Sequence, residues 1–187
     1  MTRVFCRVMT LADQLTVTRI VAVPVVLLLF AVDFPGHAYW ATAVFAVAML
    51  TDQVDGWLAR RSGNETDLGK ILDPVADKLL VLSTMIVLTG TVFVAWMVAA
   101  IVARELLVSG LRLTALERGV VVSARDLGKV KAWAQAVACV LGGLAAAGAV
   151  VEGVAYWALV AALVVTWLSG LDYARVTPSV LRGQQAA

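Results

Sequence analysis

Four aspartates, Asp52, Asp55, Asp73 and Asp77, stand close together in an otherwise apolar chain. Asp52, Asp55, Gly56, Ala59 and Arg60 follow one another at offsets 0, 3, 4, 7 and 8. On a helix that pattern lies on one face. Gly69, Asp73 and Asp77, at offsets 0, 4 and 8, share a face of the next helix. The short polar turn between the helices (Arg61–Asp67) makes them antiparallel neighbours, so the spacing predicts four carboxylates presented to one cavity. Clustered carboxylates raise one another's pKa and stay ionised together only with cations present. Hard oxygen ligands favour Mg²⁺, Mn²⁺ or Ca²⁺ over zinc, and a pair of such ions can clamp the attacking and leaving oxygens of a phosphate transfer. Gly56 and Gly69 leave room for a phosphate or planar group beside the backbone. Arg60 is a planar fork suited to pyrophosphate. Taken singly, the glycines suit close helix packing better than a binding role, and Asp67 or Asp52 could be helix-end caps. Asp73 and Asp77 lie too deep for that: Asp77 is about 12 Å along the helix from Gly69, and a lone aspartate at mid-membrane costs about 2.5–3.5 kcal/mol.

The elements that must carry these residues are membrane helices. Of 187 residues, 61% are hydrophobic and 15% charged, with a mean hydropathy of +0.91. Soluble domains are closer to half apolar. Six runs approach the roughly 20 apolar residues of a span: Leu15–Val32, Tyr39–Arg60, Leu68–Thr89, Val92–Thr114, Leu127–Val150 and Val154–Leu171. The first could mimic a signal peptide, but five further runs follow it. Strands are disfavoured because open sheets cannot satisfy their backbone in lipid. The expected fold is therefore all-α and integral to the membrane, a single domain over 1–187. Met1–Asp13 is expected as a short interfacial helix, 15–171 as a six-helix core and 172–187 as a cytoplasmic tail.

Lysine and arginine fall into four groups: Arg3, Arg7 and Arg19; Arg60, Arg61, Lys70 and Lys78; Arg104, Arg112, Arg118, Arg125, Lys129 and Lys131; and Arg175 and Arg182. Six antiparallel spans put all four groups on one side. The turns at Asp33–Gly36, Gly90-Thr91 and Val151–Gly153 carry neither residue type. The positive-inside rule then places both termini and the acidic segment at the cytoplasmic face. His37, the single histidine, falls on the opposite side and is not expected to be catalytic. A formal charge of +2 gives no support to a nucleic-acid partner. Cys6 and Cys139 show no metal or redox spacing.

The pattern Asp52-x2-Asp55-Gly56-x2-Ala59-Arg60-x8-Gly69-x3-Asp73-x3-Asp77 resembles the complete motif of the CDP-alcohol phosphatidyltransferases, with all eight fixed positions present. The resemblance implies a six-helix fold, a divalent metal site of two ions (Mg²⁺ or Mn²⁺), CMP as leaving group and a homodimer. It implies Asp52, Asp55, Asp73 and Asp77 as metal ligands, with Asp77 also the general base. Thr16, Arg19, Gly56, Ala59, Arg60, Thr66 and Gly69 would bind the CDP-lipid.

Further blocks resemble members that use sn-glycerol 3-phosphate as acceptor and CDP-diacylglycerol as donor. These are Leu15-Thr16-x2-Arg19-Ile20 with Pro24, Leu72-Asp73-Pro74-x-Ala76-Asp77-Lys78, Ala103-Arg104-Glu105-x2-Val108-Ser109-x-Leu111-Arg112 and Gly128-Lys129-x-Lys131-x3-Gln135. Ala132 departs from that pattern, which has Thr there. The resemblance implies phosphatidylglycerol phosphate and CMP as products, in a bacterial cytoplasmic membrane with the active site facing the cytoplasm.

A phosphorylated acceptor needs cations, and Arg104, Arg112, Lys129 and Lys131 are the candidates. Arg104 and Arg112 lie within an apolar run at a separation of eight, hence on one face. Glu105 is placed to orient one of the bases. An ordinary inside-positive belt is the plainer reading of these four. An inositol-phosphate or cardiolipin-forming transferase remains an alternative within the family. A cation transporter with carboxylates between helices is an alternative outside it.

Overall fold

The computed structural model of the chain describes residues 11–62, 78–117 and 126–183, with side chains described over 20–51, 78–111 and 128–171. Among the described residues the regular elements are all helices. They are α1 (Leu11–Ala31), α2 (His37–Ser62), α3 (described over Lys78–Val87), α4 (Ala95–Glu117), α5 (Asp126–Ala146) and α6 (Glu152–Gly183). The expected all-α class is observed. The helices group into two compact units, Met1–Val87 and Leu88–Ala187.

In the first unit, α1 packs on α2. The turn between them reverses at Gly36, whose φ of +80° lies in the left-handed region, a conformation glycine adopts without a Cβ penalty. His37 donates its backbone N–H to the Phe34 carbonyl at 3.0 Å, closing the turn. Val26, Ala38, Ala41 and Phe45 are buried. So is Thr42, whose hydroxyl donates to the Ala38 carbonyl one turn back at 2.6 Å. Thr84 in α3 does the same to Leu80 at 2.8 Å. Both hydroxyls are thus satisfied within their own helices.

In the second unit, α6 packs on both α4 and α5. Its buried positions, Ala155, Leu159, Ala162 and Thr166, recur every three or four residues, the period of one helical stripe. Ala138, Cys139, Gly142 and Ala145 form the buried stripe of α5. Small residues on both stripes let backbones approach closely. At Gly142 the approach is tight enough that a Cβ would stand 2.5 Å from Cζ of Phe93 and 3.0 Å from Cδ1 of Leu88.

The two other short turns also reverse on left-handed glycines, Gly90 (φ +88°) and Gly148 (φ +75°). At Gly148 the helix ends with Ala149 N–H donating to the Leu144 carbonyl and Gly148 N–H to Ala145, each at 2.9 Å, the paired bonds of a Schellman cap. Helix α5 consequently stops at Ala146, before the Val150 expected from hydropathy. The sequence Ala147–Val151 remains apolar, so only the backbone reveals the turn. Helix α4 starts at Ala95 rather than Val92, because Phe93 N–H is taken by the Leu88 carbonyl at 2.9 Å. Helix α6 runs on past Leu171 to Gly183.

Polarity is distributed from the inside out. Thr42, Thr84, Arg104, Glu105, Gln135 and Thr166 are buried, while Leu106 and Leu107 are 65% exposed and Val47, Leu50, Ile86, Trp167 and Leu168 lie open. A surface this apolar is unsuited to water and fits lipid, where polar groups turn inward. Among the described residues one stretch, Glu152–Leu171, is long and apolar enough by itself to cross a membrane. Ile20–Ala31, His37–Thr51 and Lys78–Val87 are shorter apolar helices. The same helix that carries Ala95 to Leu111 is interrupted by Arg104 and Glu105, and α2 becomes polar from Asp52. Polar residues within these two helices shorten their apolar runs.

Candidate active site

In the first unit, the acidic positions begin on α2. The helix is continuous from His37 to Ser62, so Asp52, Asp55, Gly56, Ala59 and Arg60 hold the one-face register their spacing requires. Asp52 lies 15 residues beyond His37, about 22 Å along the axis. Helices α1 and α2 form a hairpin about Phe34–Gly36, and this brings the Thr16–Arg19 turn of α1 level with the start of the acidic segment. Thr16 and Arg19 are thus placed, by topology, at the same end of the hairpin as Asp52 and Asp55. Thr66, Gly69, Asp73 and Asp77 lie outside the described residues.

A helical pair of carboxylates one turn apart offers the hard oxygen donors that Mg²⁺ or Mn²⁺ takes, and the donor set fits such an ion. Among the described residues no three His, Cys, Asp or Glu side chains gather into a metal-binding group.

In the second unit, a separate cluster of basic residues is described atom by atom, and its centre is an anion. Glu105 of α4 is buried, with its side chain 2% exposed. Nη1 of Arg104 donates to its Oε1 at 3.0 Å. Nζ of Lys131 in α5 lies 2.7 Å from Oε1 and donates to Oε2 at 2.9 Å. Nε2 of Gln135, one turn further along α5, donates to Oε1 at 3.2 Å and to the Thr166 hydroxyl of α6 at 2.9 Å. Helices α4 and α5 therefore meet at one carboxylate, and Gln135 links it onward to α6.

Burial grades across this group. The Arg104 side chain is 4% exposed and that of Lys131 14%. Arg104 lies across α6 at Gly170, where a Cβ would come within 2.7 Å of its Nε and 3.4 Å of its Nη2. Charges this deep in an apolar helix are costly alone. Here the carboxylate accepts from Arg104, Lys131 and Gln135, and these bonds and opposite charges offset that cost.

Of the four candidate acceptor cations, Arg104 and Lys131 are brought together. Lys129 sits two residues before Lys131 and is exposed, because a two-residue step turns a side chain about 200° around a helix. Arg112 belongs to α4, eight residues beyond Arg104 and on the same face by register; its side chain is outside those described. Sequence reasoning did not find Thr166 or Gly170. Their spacing of four on one stripe of an apolar helix was the available signal. His37 Nδ1 donates to the Phe34 carbonyl, 3.0 Å away, in the α1–α2 turn, and takes no part in this group.

The CDP-alcohol phosphatidyltransferase family model matches residues 9–168 of the chain. The chain belongs to the CDP-alcohol phosphatidyltransferase family. The chain is 39% identical over 171 residues to the probable phosphatidylglycerophosphate synthase of Mycobacterium tuberculosis (strain ATCC 25618 / H37Rv), covering 89% of this chain and 81% of that protein. It is 40% identical over 141 residues to the CDP-diacylglycerol–glycerol-3-phosphate 3-phosphatidyltransferase of Bacillus subtilis (strain 168), covering 68% and 73% respectively. The enzyme of the same name from Escherichia coli (strain K12) is 38% identical over 129 residues, covering 66% and 71%.

Proposed function

We propose that this CDP-alcohol phosphatidyltransferase transfers the phosphatidyl group of CDP-diacylglycerol to the primary hydroxyl of sn-glycerol 3-phosphate. The products are phosphatidylglycerol phosphate and CMP. The observation that carries the reading is the fixed α2 register of the motif, in a chain 40% and 38% identical to the CDP-diacylglycerol–glycerol-3-phosphate 3-phosphatidyltransferases of Bacillus subtilis and Escherichia coli.

In the proposed mechanism Asp52, Asp55, Asp73 and Asp77 would hold two divalent ions, Mg²⁺ or Mn²⁺, which when bound would neutralise the pyrophosphate and favour departure of CMP. Arg60 supplies a fork of donors to the same pyrophosphate. Thr16, Arg19, Gly56, Ala59, Thr66 and Gly69 complete the CDP-lipid site. Asp77 accepts the proton of the attacking hydroxyl. A new P–O bond forms at the lipid-bearing phosphorus as the bond to CMP breaks, and no covalent enzyme intermediate is needed. Arg104, Arg112, Lys129 and Lys131 supply positive charge to the acceptor phosphate.

The proposed topology has six spans in a single membrane domain, a short interfacial helix at the N-terminus, a tail at the C-terminus, and both termini and the active site in the cytoplasm. Exposed aromatics support it: Tyr39 and Trp40, Trp96, and Tyr156 and Trp157 lie at the starts of α2, α4 and α6. These are the ends next to the turns without lysine or arginine, and Trp and Tyr gather at membrane interfaces. The enzyme would work as a homodimer among membrane lipids. The test is release of CMP from CDP-diacylglycerol by purified enzyme against a panel of acceptors. Release dependent on sn-glycerol 3-phosphate is expected. Preference for inositol phosphate or phosphatidylglycerol would reassign the acceptor, and CMP release indifferent to any acceptor would defeat the transfer reading.

A further inference from the structure

The four cations assigned to the acceptor are not equivalent, and Glu105 is what separates them. Arg104 and Glu105 are almost fully enclosed, whereas Lys131 keeps part of its side chain at the surface. Glu105 has both carboxylate oxygens within 3 Å of the Lys131 ammonium, at 2.7 and 2.9 Å. Its own position is fixed from two further directions. Gln135 ties Oε1 to the Thr166 hydroxyl of α6. Arg104 ties the same oxygen across Gly170, a position with no room for a side chain beneath the guanidinium.

Stability alone gives little reason for this arrangement. Replacing a buried ion pair by apolar residues of similar volume is often neutral or stabilising, and the surrounding stripes of α4, α5 and α6 are apolar. A fixed carboxylate gripping one partly open lysine does have a use in directing that lysine. An ammonium on a four-carbon stem is otherwise free to adopt many rotamers.

We infer that Glu105 is a positioning residue, seated on Thr166 and Gly170 of α6 through Gln135 and Arg104, that holds Lys131 where it meets the acceptor phosphate. Arg104 acts from behind Glu105 as part of the seat. The inference rests on the acceptor-phosphate reading of Lys131 above, and the experiment separates the two.

Steady-state kinetics of folded, purified enzyme are measured against sn-glycerol 3-phosphate and CDP-diacylglycerol for Lys131→Ala, Glu105→Gln and the double variant. Loss of a charged hydrogen bond to phosphate corresponds to about a ten- to hundredfold rise in acceptor KM for Lys131→Ala. For Glu105→Gln the expected rise is about tenfold by the same scale, with kcat and the CDP-diacylglycerol KM nearly unchanged. The double variant should match Lys131→Ala alone, because Glu105 acts through Lys131. A merely structural Glu105 would lower the yield or thermal stability and leave both KM values in place. If Lys131→Ala raises the acceptor KM and Glu105→Gln does not, the positioning role is overturned and the acceptor reading stands. An additive double variant also overturns it. If Lys131→Ala leaves the acceptor KM unchanged, the acceptor reading fails and this inference with it. Should Glu105→Gln not accumulate, Gln135→Leu decides. It preserves every charge and is expected to raise the acceptor KM severalfold, and an unchanged value overturns the proposal.

Discussion

The acidic segment of α2 and the Glu105 group of α4–α6 are built on opposite plans. The first is local: its residues follow at helical spacing on one continuous helix, and the chemistry is written into a short stretch of sequence. The second is assembled from three helices, with partners 26, 30 and 31 residues apart. A local motif suits a task whose geometry is dictated by ions and a pyrophosphate. A distributed cluster can be altered helix by helix, which would suit the acceptor role proposed for it.

The contrast is sharpest where the chemistry is most local. Asp77→Asn should lower kcat by about 10²–10⁴-fold, the usual contribution of a general base, while CDP-diacylglycerol still binds. Rapid measurement of CMP release together with a lipid-binding assay checks this, and near-normal turnover would remove Asp77 as the base. A smaller effect is expected at the packing of the second unit. Gly142→Ala places a methyl against the Phe93 ring and should destabilise the protein by about 1–3 kcal/mol. It should appear as a lower thermal midpoint in detergent, with activity per folded molecule unchanged. A changed acceptor KM in that variant would mean the core of α5 and the Glu105 group are not separable.

How much could be read from the sequence follows the same division. The all-α class and the α2 register were legible, because periodicity and a fixed motif act over a few turns. Arg104, Glu105, Lys131 and Gln135 were visible as polar intrusions in apolar runs, but not the carboxylate at their centre as a shared acceptor. Thr166 and Gly170 were hidden, since a threonine and a glycine in an alanine-rich helix look like ordinary packing residues. The end of α5 was misplaced for a different reason. Hydropathy continues through Ala147–Val150, and only the left-handed backbone at Gly148 stops the helix. Lys129 and Lys131 looked alike as neighbours in a basic run, and a two-residue helical step sets them on different sides.

The central claim is that donor and acceptor are held by different regions, Arg60 with the aspartates for one and Lys131 for the other. The direct test is a cross-titration of both substrates with Arg60→Lys and Lys131→Ala. Lysine keeps the charge of Arg60 but cannot donate two parallel bonds to a pyrophosphate. Arg60→Lys should therefore raise the KM for CDP-diacylglycerol by about tenfold, the value of one charged hydrogen bond, and leave that for sn-glycerol 3-phosphate in place. Lys131→Ala should do the reverse. Both variants moving the same KM, or each moving both equally, would contradict the division.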